Sequence, residues 1–280
     1  MLKEPFASQF ETGVSQEQLK TITRTSRLLD KILNRAPGRH AAYVGPSTFA
    51  HKGGLHSSAI QKDTHTYEHV APETVGNTRS ILVSDQAGRS NLLARLTDIG
   101  IKVDAGDPHL SALLATVKQK EHEGYSYDSA EASFEILARR ALGLMPQYFE
   151  VDKFDVRVER RHNANGMLVT VSEATVKVEV HGQEFHNVAE GDGPVDALNN
   201  ALQKDLGAYS GFLADLRLID YKVRILDTGT KATTRVMVES EDGKGNRWST
   251  VGISKNIIDA SFEALVDSIY YKLLRDGVRA

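Results

Sequence analysis

The chain has 280 residues, 40% of them hydrophobic, and its 34 basic and 37 acidic side chains leave a net charge of −3 at pH 7. That supplies a normal core and one to three domains, while interspersed charges of both signs give no electrostatic footprint for nucleic acid or an anionic membrane. With no cysteine a disulfide framework, a thiolate nucleophile and a thiolate metal site are excluded; the start lacks the basic and apolar runs of a signal peptide and no stretch is apolar enough to span a bilayer, so a cytoplasmic chain is expected.

Residues 1–15 mix Gly, Pro and polar types without periodicity and read as a poorly ordered arm or a cut end. From Ser15 the pattern is helical. Ser15 and Gln18 suit a capping box, and Leu19, Ile22, Leu28, Leu29, Ile32 and Leu33 follow a helical stripe that should end before Pro37 and Gly38. Residues 43–60 are Gly-rich, carry His51 and His56, and open into a short helix, a composition that suits a loop shaped around something. Zinc held by His51 and His56 is disfavoured, because their spacing does not align two ligands on a helix face and no Cys assists. His65 and His69 have helical spacing without an acidic partner and read as solvated. Gly53 and Gly54 ahead of a helix suit an anion cradle, but the P-loop pattern is missing.

Residues 66–85 are connecting structure with a short strand at 80–84. A helix comes next, with Leu92, Leu93, Leu96 and Ile99 as its buried stripe and Gly100 as its stop. Asp107 begins a second helix, running to about Gly124 with Leu110, Leu113, Leu114 and Val117 apolar; a third spans 129–142 with Phe134, Leu137 and Leu142 inward. At Gly143 the period changes from helical to strand-like: Phe149, Val151, Phe154, Val156 and Val158 are spaced mainly by two.

The remainder of the chain is organised by an internal repeat. GDGPVDALNNAL at 191–202 lies over SKNIIDASFEAL at 254–265, with Asp196 and Ala197 on Asp259 and Ala260, and FDVRV at 154–158 returns as YKVRI at 221–225. Alternating runs at 174–180 and 234–240 lie between, and turn clusters at 163–166 and 242–246 close hairpins. Each copy reads strand, strand, strand, helix, and duplicated units of this length pack around a pseudo-twofold axis. The expected fold is α+β: small helical linker subdomains, then a domain of two βββα repeats. The expected domains are 1–55 (arm and linker), 56–146 (helical linker) and 147–280 (the repeats).

In the first copy Gly191, Asp192, Gly193 and Pro194 open a helix. Proline fits the first turn, glycine lets a ligand approach the backbone, and the helix start offers free N–H groups to a carboxylate. Ser254 and Asn256 take the corresponding place in the second copy. Helix capping between strand and helix explains the spacing by itself; its occurrence twice adds weight to a pocket for a small zwitterion, with Asp192 or Asp196 available for the ammonium group. No nucleophile and base are arranged for catalysis.

FAHKGGLH at 49–56, YEH at 67–69, VGN at 75–77, SDQAGRSN at 84–91, GDGPVDA at 191–197 and NIIDAS at 256–261 together resemble, in this order, the C-terminal half of the citramalate synthase and 2-isopropylmalate synthase family, over about residues 15–275. The GRSN and HKGG forms look closer to the citramalate-type branch. The resemblance implies a transferase that joins acetyl-CoA to a 2-oxo acid, pyruvate for a citramalate synthase, and then hydrolyses the thioester, on a TIM barrel holding a divalent metal. The barrel's His-x-His motif and its catalytic Arg and Glu are not in this chain. Met1 is therefore expected to be an artificial start or that of an unusually short gene product. The chain itself is expected to hold no cofactor or metal and to be inactive alone, with His56, the histidine of the Gly-x-His motif, a catalytic accessory of the full-length enzyme only.

The family's C-terminal domain dimerises and binds an end-product amino acid, isoleucine for citramalate synthases and leucine for 2-isopropylmalate synthases. Carried over, the effector residues are Gly191, Asp192, Gly193, Asp196, Leu218, Tyr221 and Ile225. Tyr221 and Ile225 share a strand face with Leu218 flanking them, plain sheet core being the alternative. The implied partners are a second copy, the amino acid and the barrel of the same polypeptide, in feedback control of branched-chain amino-acid biosynthesis. Two readings compete: a complete enzyme using His51 and His56, and a dimerisation module without ligand.

Overall fold

A computed structural model describes residues 6, 8–10, 13–33, 37–38, 40–51, 56, 59–60, 62–81, 89–104, 106–226 and 232–280. The chain divides into two compact units, 1–103 and 104–280.

In the first unit the capping box forms. Gln18 N–H donates to Ser15 Oγ (3.2 Å) and Ser15 N–H to Gln18 Oε1 (2.8 Å), starting α1 (Gln16–Leu19). The expected single helix is two, because the chain breaks at Lys20 and Thr21 before α2 (Ile22–Ile32). The expected stripe is also turned the wrong way: Thr23 and Asp30 are buried, whereas Ile22, Leu28, Leu29, Ile32 and Leu33 are exposed. The buried bond from Thr23 Oγ1 to Val75 O (2.6 Å) fixes that orientation. Phe49, Val70 and Val75 form a small core on which Leu19 and Tyr43 pack. Two short strands, β1 (Ala50–His51) and β2 (Ser80–Ile81), pair in parallel; the rest of the strand expected at 80–84 lies outside the described residues. In α3 (Arg89–Asp98) Leu92 and Leu96 are fully buried, and Gly100 takes the left-handed φ of 77° that ends the helix.

The second unit begins with α4 (Pro108–His122), capped by Asp107, and α5 (Glu131–Ala141). Two sheets come after them, each of three antiparallel strands in sequence order: β3 (Glu150–His162), β4 (Leu168–Val180) and β5 (Gln183–Gly191), then β6 (Arg217–Ile225), β7 (Thr234–Glu241) and β8 (Arg247–Ser254). The hairpin turns fall at the predicted clusters, with Asn163 N–H donating to Met167 O and Asp242 N–H to Asn246 O. Each sheet carries its own helix: α6 (Pro194–Lys204) lies on β4 and β5, and α8 (Ile257–Arg275) on β7 and β8. A short α7 (Ser210–Leu213) links the copies.

The repeat extends to irregularities. The pairing register shifts between Val151 and Lys153 in β3 and between Leu218 and Asp220 in β6, the same bulge at equivalent positions. Both copies feed one core, in which Val176, Val178, Leu198 and Leu202 of the first are continuous with Val236, Val238, Trp248 and Leu265 of the second. Burial of each large side chain contributes roughly 1.5–3 kcal/mol.

The change of period at 143–147 does mark where strands begin, but the compact unit starts earlier, at Asp104. The reason is α5. The edge strand β8 has outward amides to satisfy; Ser249 N–H donates to Glu131 Oε1 (3.2 Å) and Val251 N–H to Ser133 Oγ (3.0 Å), so α5 closes the edge. This draws Ser133 inward beside Phe134 and Ile136, and leaves Leu137 and Leu142, both expected inside, only half-buried.

Candidate effector site

The two helix starts differ. At α6 the N-cap is Gly193, which has no side chain to offer, and Pro194 follows it in the first turn, so no side chain caps the first free N–H groups, those of Val195 and Asp196. At α8 the N-cap Asn256 accepts the Ile258 N–H (2.9 Å), and Ser254 Oγ accepts the Asn256 N–H (3.1 Å). The first start is open to an anion, and the second is closed by its own side chains.

Gly191 ends β5 directly against α6: a Cβ there would lie 2.3 Å from Ala197 N. Asp196 reaches back, its Oδ2 accepting the Asp192 N–H at 2.9 Å, so Gly191, Asp192, Gly193 and Asp196 form one tight loop. The Asp192 and Asp196 carboxylates are on the exposed side.

On β6 the bulge decides which residues share a face. Leu218 and Tyr221, three apart, fall on opposite faces of a regular strand, yet they pair with Ser240 and Val238, both on the buried face of β7. Ile225 pairs with Thr234 on that same face and is 66% exposed, at the open end of the strand. Tyr221 is half-buried, its hydroxyl 2.8 Å from Ser261 Oγ on α8, and burial pushes its pKa up against the lowering effect of that hydrogen bond. Leu218 and Tyr221 also pack on the shared core. Among the described residues no hydrogen bond or ring contact joins the α6 loop to these β6 side chains; each group is built from its own repeat.

Two clefts bear on the site. One of about 540 Å³ lies between β3 and the start of α8, lined by Val151, Phe154, Val156, Asn256, Ile258 and Phe262, with the Phe154 ring stacked on Phe262 at 4.5 Å. None of the expected effector residues lines it. The larger cleft, about 700 Å³, runs along β5 and the later half of α6, and none of the expected effector residues lines it.

In the first unit His56 is exposed and stacks on Tyr67 (centroids 4.1 Å apart, 26° between planes). Beside Tyr67, Glu68 is buried, accepting from His51 Nε2 (2.9 Å) and from Arg79 Nε and Nη2 (2.7 and 2.5 Å). Burial raises the Glu68 pKa, but the bonds from Arg79 and His51 outweigh it and hold the carboxyl below its ordinary range. His51 is thus one of the two side chains that hold a buried carboxyl. His69 Nε2 lies 3.4 Å from the Tyr43 hydroxyl, and Tyr43 has a left-handed φ of 65°, with Asn77 Nδ2 donating to its carbonyl. Among the described residues no three His, Asp or Glu side chains cluster as metal ligands. Gly53 and Gly54 lie outside the described residues.

Sequence reasoning missed Glu68 with Arg79, and Asp267. Asp267 sits one helical repeat beyond Ala260 and Ala264 on the apolar stripe of α8; an acid at that spacing is the signal that was available.

Two βββα repeats with a shared core and one uncapped helix start define an α+β domain. The chain belongs to the family of the LeuA allosteric (dimerisation) domain, whose profile matches residues 128–273; that of the homocitrate synthase post-HMGL domain-like family matches residues 43–124. It is 48% identical to the (R)-citramalate synthase of Geobacter sulfurreducens over 262 residues, 93% of this chain and 49% of that protein. The (R)-citramalate synthases of Aquifex aeolicus (47% identity, 94% of this chain, 49% of that protein) and Synechocystis sp. (49%, 93% and 48%) are similar to it in the same way. The chain spans about half the length of the curated relatives it matches. A dimerisation domain of this kind supports a homodimer.

Proposed function

We propose that this chain is the linker and regulatory portion of a citramalate synthase, which condenses acetyl-CoA with pyruvate, and that it dimerises and binds isoleucine as feedback inhibitor at the start of α6. The observation that carries this reading is the uncapped helix start at Gly193 within a matched allosteric domain. The N–H groups of Val195 and Asp196 take the carboxylate of the amino acid, Asp192 or Asp196 its ammonium, and Leu218, Tyr221 and Ile225 its branched side chain. Isoleucine that binds one arrangement of the dimer better than another biases the linkers, and through them the catalytic barrel.

On this reading the divalent metal and the catalytic groups belong to the barrel, His56 assists only there, the chain alone turns nothing over, and the enzyme is cytoplasmic. Among the described residues no helix is long and apolar enough to cross a membrane.

A ligand-free dimerisation module has one observation in its favour: Asp196 and Tyr221 already have partners, Asp192 N–H and Ser261. Calorimetric titration with isoleucine and with leucine, alongside mass in solution, separates the readings. Saturable isoleucine binding to a dimer, lost in Asp196→Ala, is the expected result. Preference for leucine moves the chain to the 2-isopropylmalate branch, and a folded dimer that binds neither leaves the module.

A further inference from the structure

The second sheet sets two cations against each other. Arg224 of β6 lies directly opposite Arg235 of β7. Thr234, Val236, Val238 and Ser240 of β7 are buried, so Arg235, between the first two, stands on the other face with Arg224 beside it. Like charges directly opposite in an antiparallel pair are destabilising, and the rest of the domain avoids them. In the first copy Arg157, the repeat equivalent of Arg224, faces an acid, Glu173. At the far end of the second sheet Glu241 lies between Arg217 and Arg247, at 3.7 and 3.0 Å.

Among the described residues neither Arg224 nor Arg235 has a carboxylate partner. The hydrogen bond of Arg235 runs from Nη1 to Gly124 O (2.8 Å), in the turn after α4. Its Nε is sealed from solvent and bonded to nothing, while Nη2 is neither sealed nor bonded. Burial and then the charge of Arg224 pull the Arg235 pKa down; Asp128 pulls the other way from a distance, its Oδ1 already accepting from Ser126 and Ser129 Oγ (2.6 and 3.3 Å). Opposed surface charges relax when one long side chain swings away, but the Gly124 bond and the sealed Nε hold Arg235 in place. Arg224 is exposed. We propose that Arg224 and Arg235 form a binding site for a small oxyanion, a carboxylate or a phosphate group, held between the outward N–H groups of the two guanidinium forks. A planar fork presents paired donors to two oxygens of one such group. The site lies on the opposite sheet face from Tyr221 and Ile225 and does not rest on the isoleucine reading.

The probes are inorganic phosphate and succinate, each titrated into the full chain against sodium chloride of equal ionic strength. At least one should bind saturably with a Kd of about 1 mM or tighter, and about 10 mM of it should raise the melting temperature by roughly 2–5 °C. Phosphate alone points to a phosphoryl ligand and succinate alone to a carboxylate, and either supports the site. Arg224→Gln should weaken binding by about tenfold or more and abolish the shift. Because Arg224 bonds to nothing among the described residues, the variant should melt no lower than the parent in chloride. The control Arg157→Gln removes the same charge at the repeat-related position and should bind the probe as the parent does. Binding of neither probe overturns the proposal, as does binding only at roughly 50 mM or more, where chloride competes equally and the pair takes an adventitious ion only. Binding that survives Arg224→Gln also overturns it, and so does equal loss in Arg157→Gln, which would mark a response to net charge.

Discussion

Ser133 gives its hydroxyl proton to Asp267 Oδ2 at 2.8 Å while accepting the Val251 N–H at 3.0 Å, so one oxygen joins α5, α8 and β8. Burial pushes the Asp267 pKa up to about 6, although Arg140 Nη1 at 3.3 Å and the Ser133 bond both pull it down. The folded chain therefore holds this proton to higher pH than the unfolded chain, whose aspartate titrates near ~3.9. The stability this lends is full below that value and falls as pH rises through about 6. Asp267→Asn should flatten the profile, raising stability at pH 8 by about 1–3 kcal/mol and leaving it nearly unchanged at about pH 3, below the unfolded value. Urea midpoints at the two pH values check this; a variant no more stable at pH 8 contradicts it.

Glu68 has the opposite sign. Its folded pKa is depressed by Arg79 and His51 acting against burial, so its contribution is present above the unfolded value and lost as pH falls through the folded one. Glu68→Ala leaves the half-buried Arg79 guanidinium without its carboxylate and should destabilise the first unit by about 3 kcal/mol. Proteolysis rates within residues 1–103, compared with the second unit as internal reference, measure the effect.

Glycines at the ends of the last strands separate packing from binding. A Cβ at Gly191 would lie 2.3 Å from Ala197 N, and one at Gly252 2.0 Å from Ala260 O, both against backbone. Gly191→Ala and Gly252→Ala should each cost about 2–3 kcal/mol in denaturant titrations. Gly193→Ala meets nothing within 4 Å and should change stability by less than about 0.5 kcal/mol. If the α6 start holds a carboxylate, its added methyl should still weaken isoleucine binding; full affinity with unchanged stability would place the ligand elsewhere.

Tyr221→Phe deletes the bond to Ser261 and leaves the ring in place. A stability loss of about 1 kcal/mol is expected, that of one ordinary hydrogen bond. A thermal melt showing no change would mean that Ser261 Oγ, which also donates to Ile257 O at 2.6 Å, is satisfied without the tyrosine.

Local signals carry most of the fold. The capping box at Ser15, the turn clusters at 163–166 and 242–246, and the duplicated helix starts are readable because each rests on neighbours in sequence. The bulges are not, since a one-residue register slip appears only once a partner strand is present; it places Leu218 and Tyr221 on one face, where plain alternation links Tyr221 to Ile225 and sets Leu218 beside them. Periodicity alone makes the α2 stripe look buried, because it reveals an apolar face and not what that face meets. Asp267 and Glu68 escape notice because an acid becomes chemically unusual only through partners far along the chain, Ser133 and Arg79. For the expected effector residues, the sequence locates the α6 loop as a unit, while the open cap that sets it apart from α8 comes from comparing two helix starts in three dimensions.

The capping of β8 also limits how this molecule can grow. Its outward amides at Ser249, Val251 and Ile253 are taken by Glu131, Ser133 and Glu263, and the carbonyls of Val188 and Glu190 on β5 are taken by Lys204 and Asn200. The last strand of each copy is thus occupied by side chains of its own unit. A foreign strand pairing with β8 would have to displace three side chains, and one pairing with β5 two, so duplication leaves the last border of each copy guarded against intermolecular strand pairing.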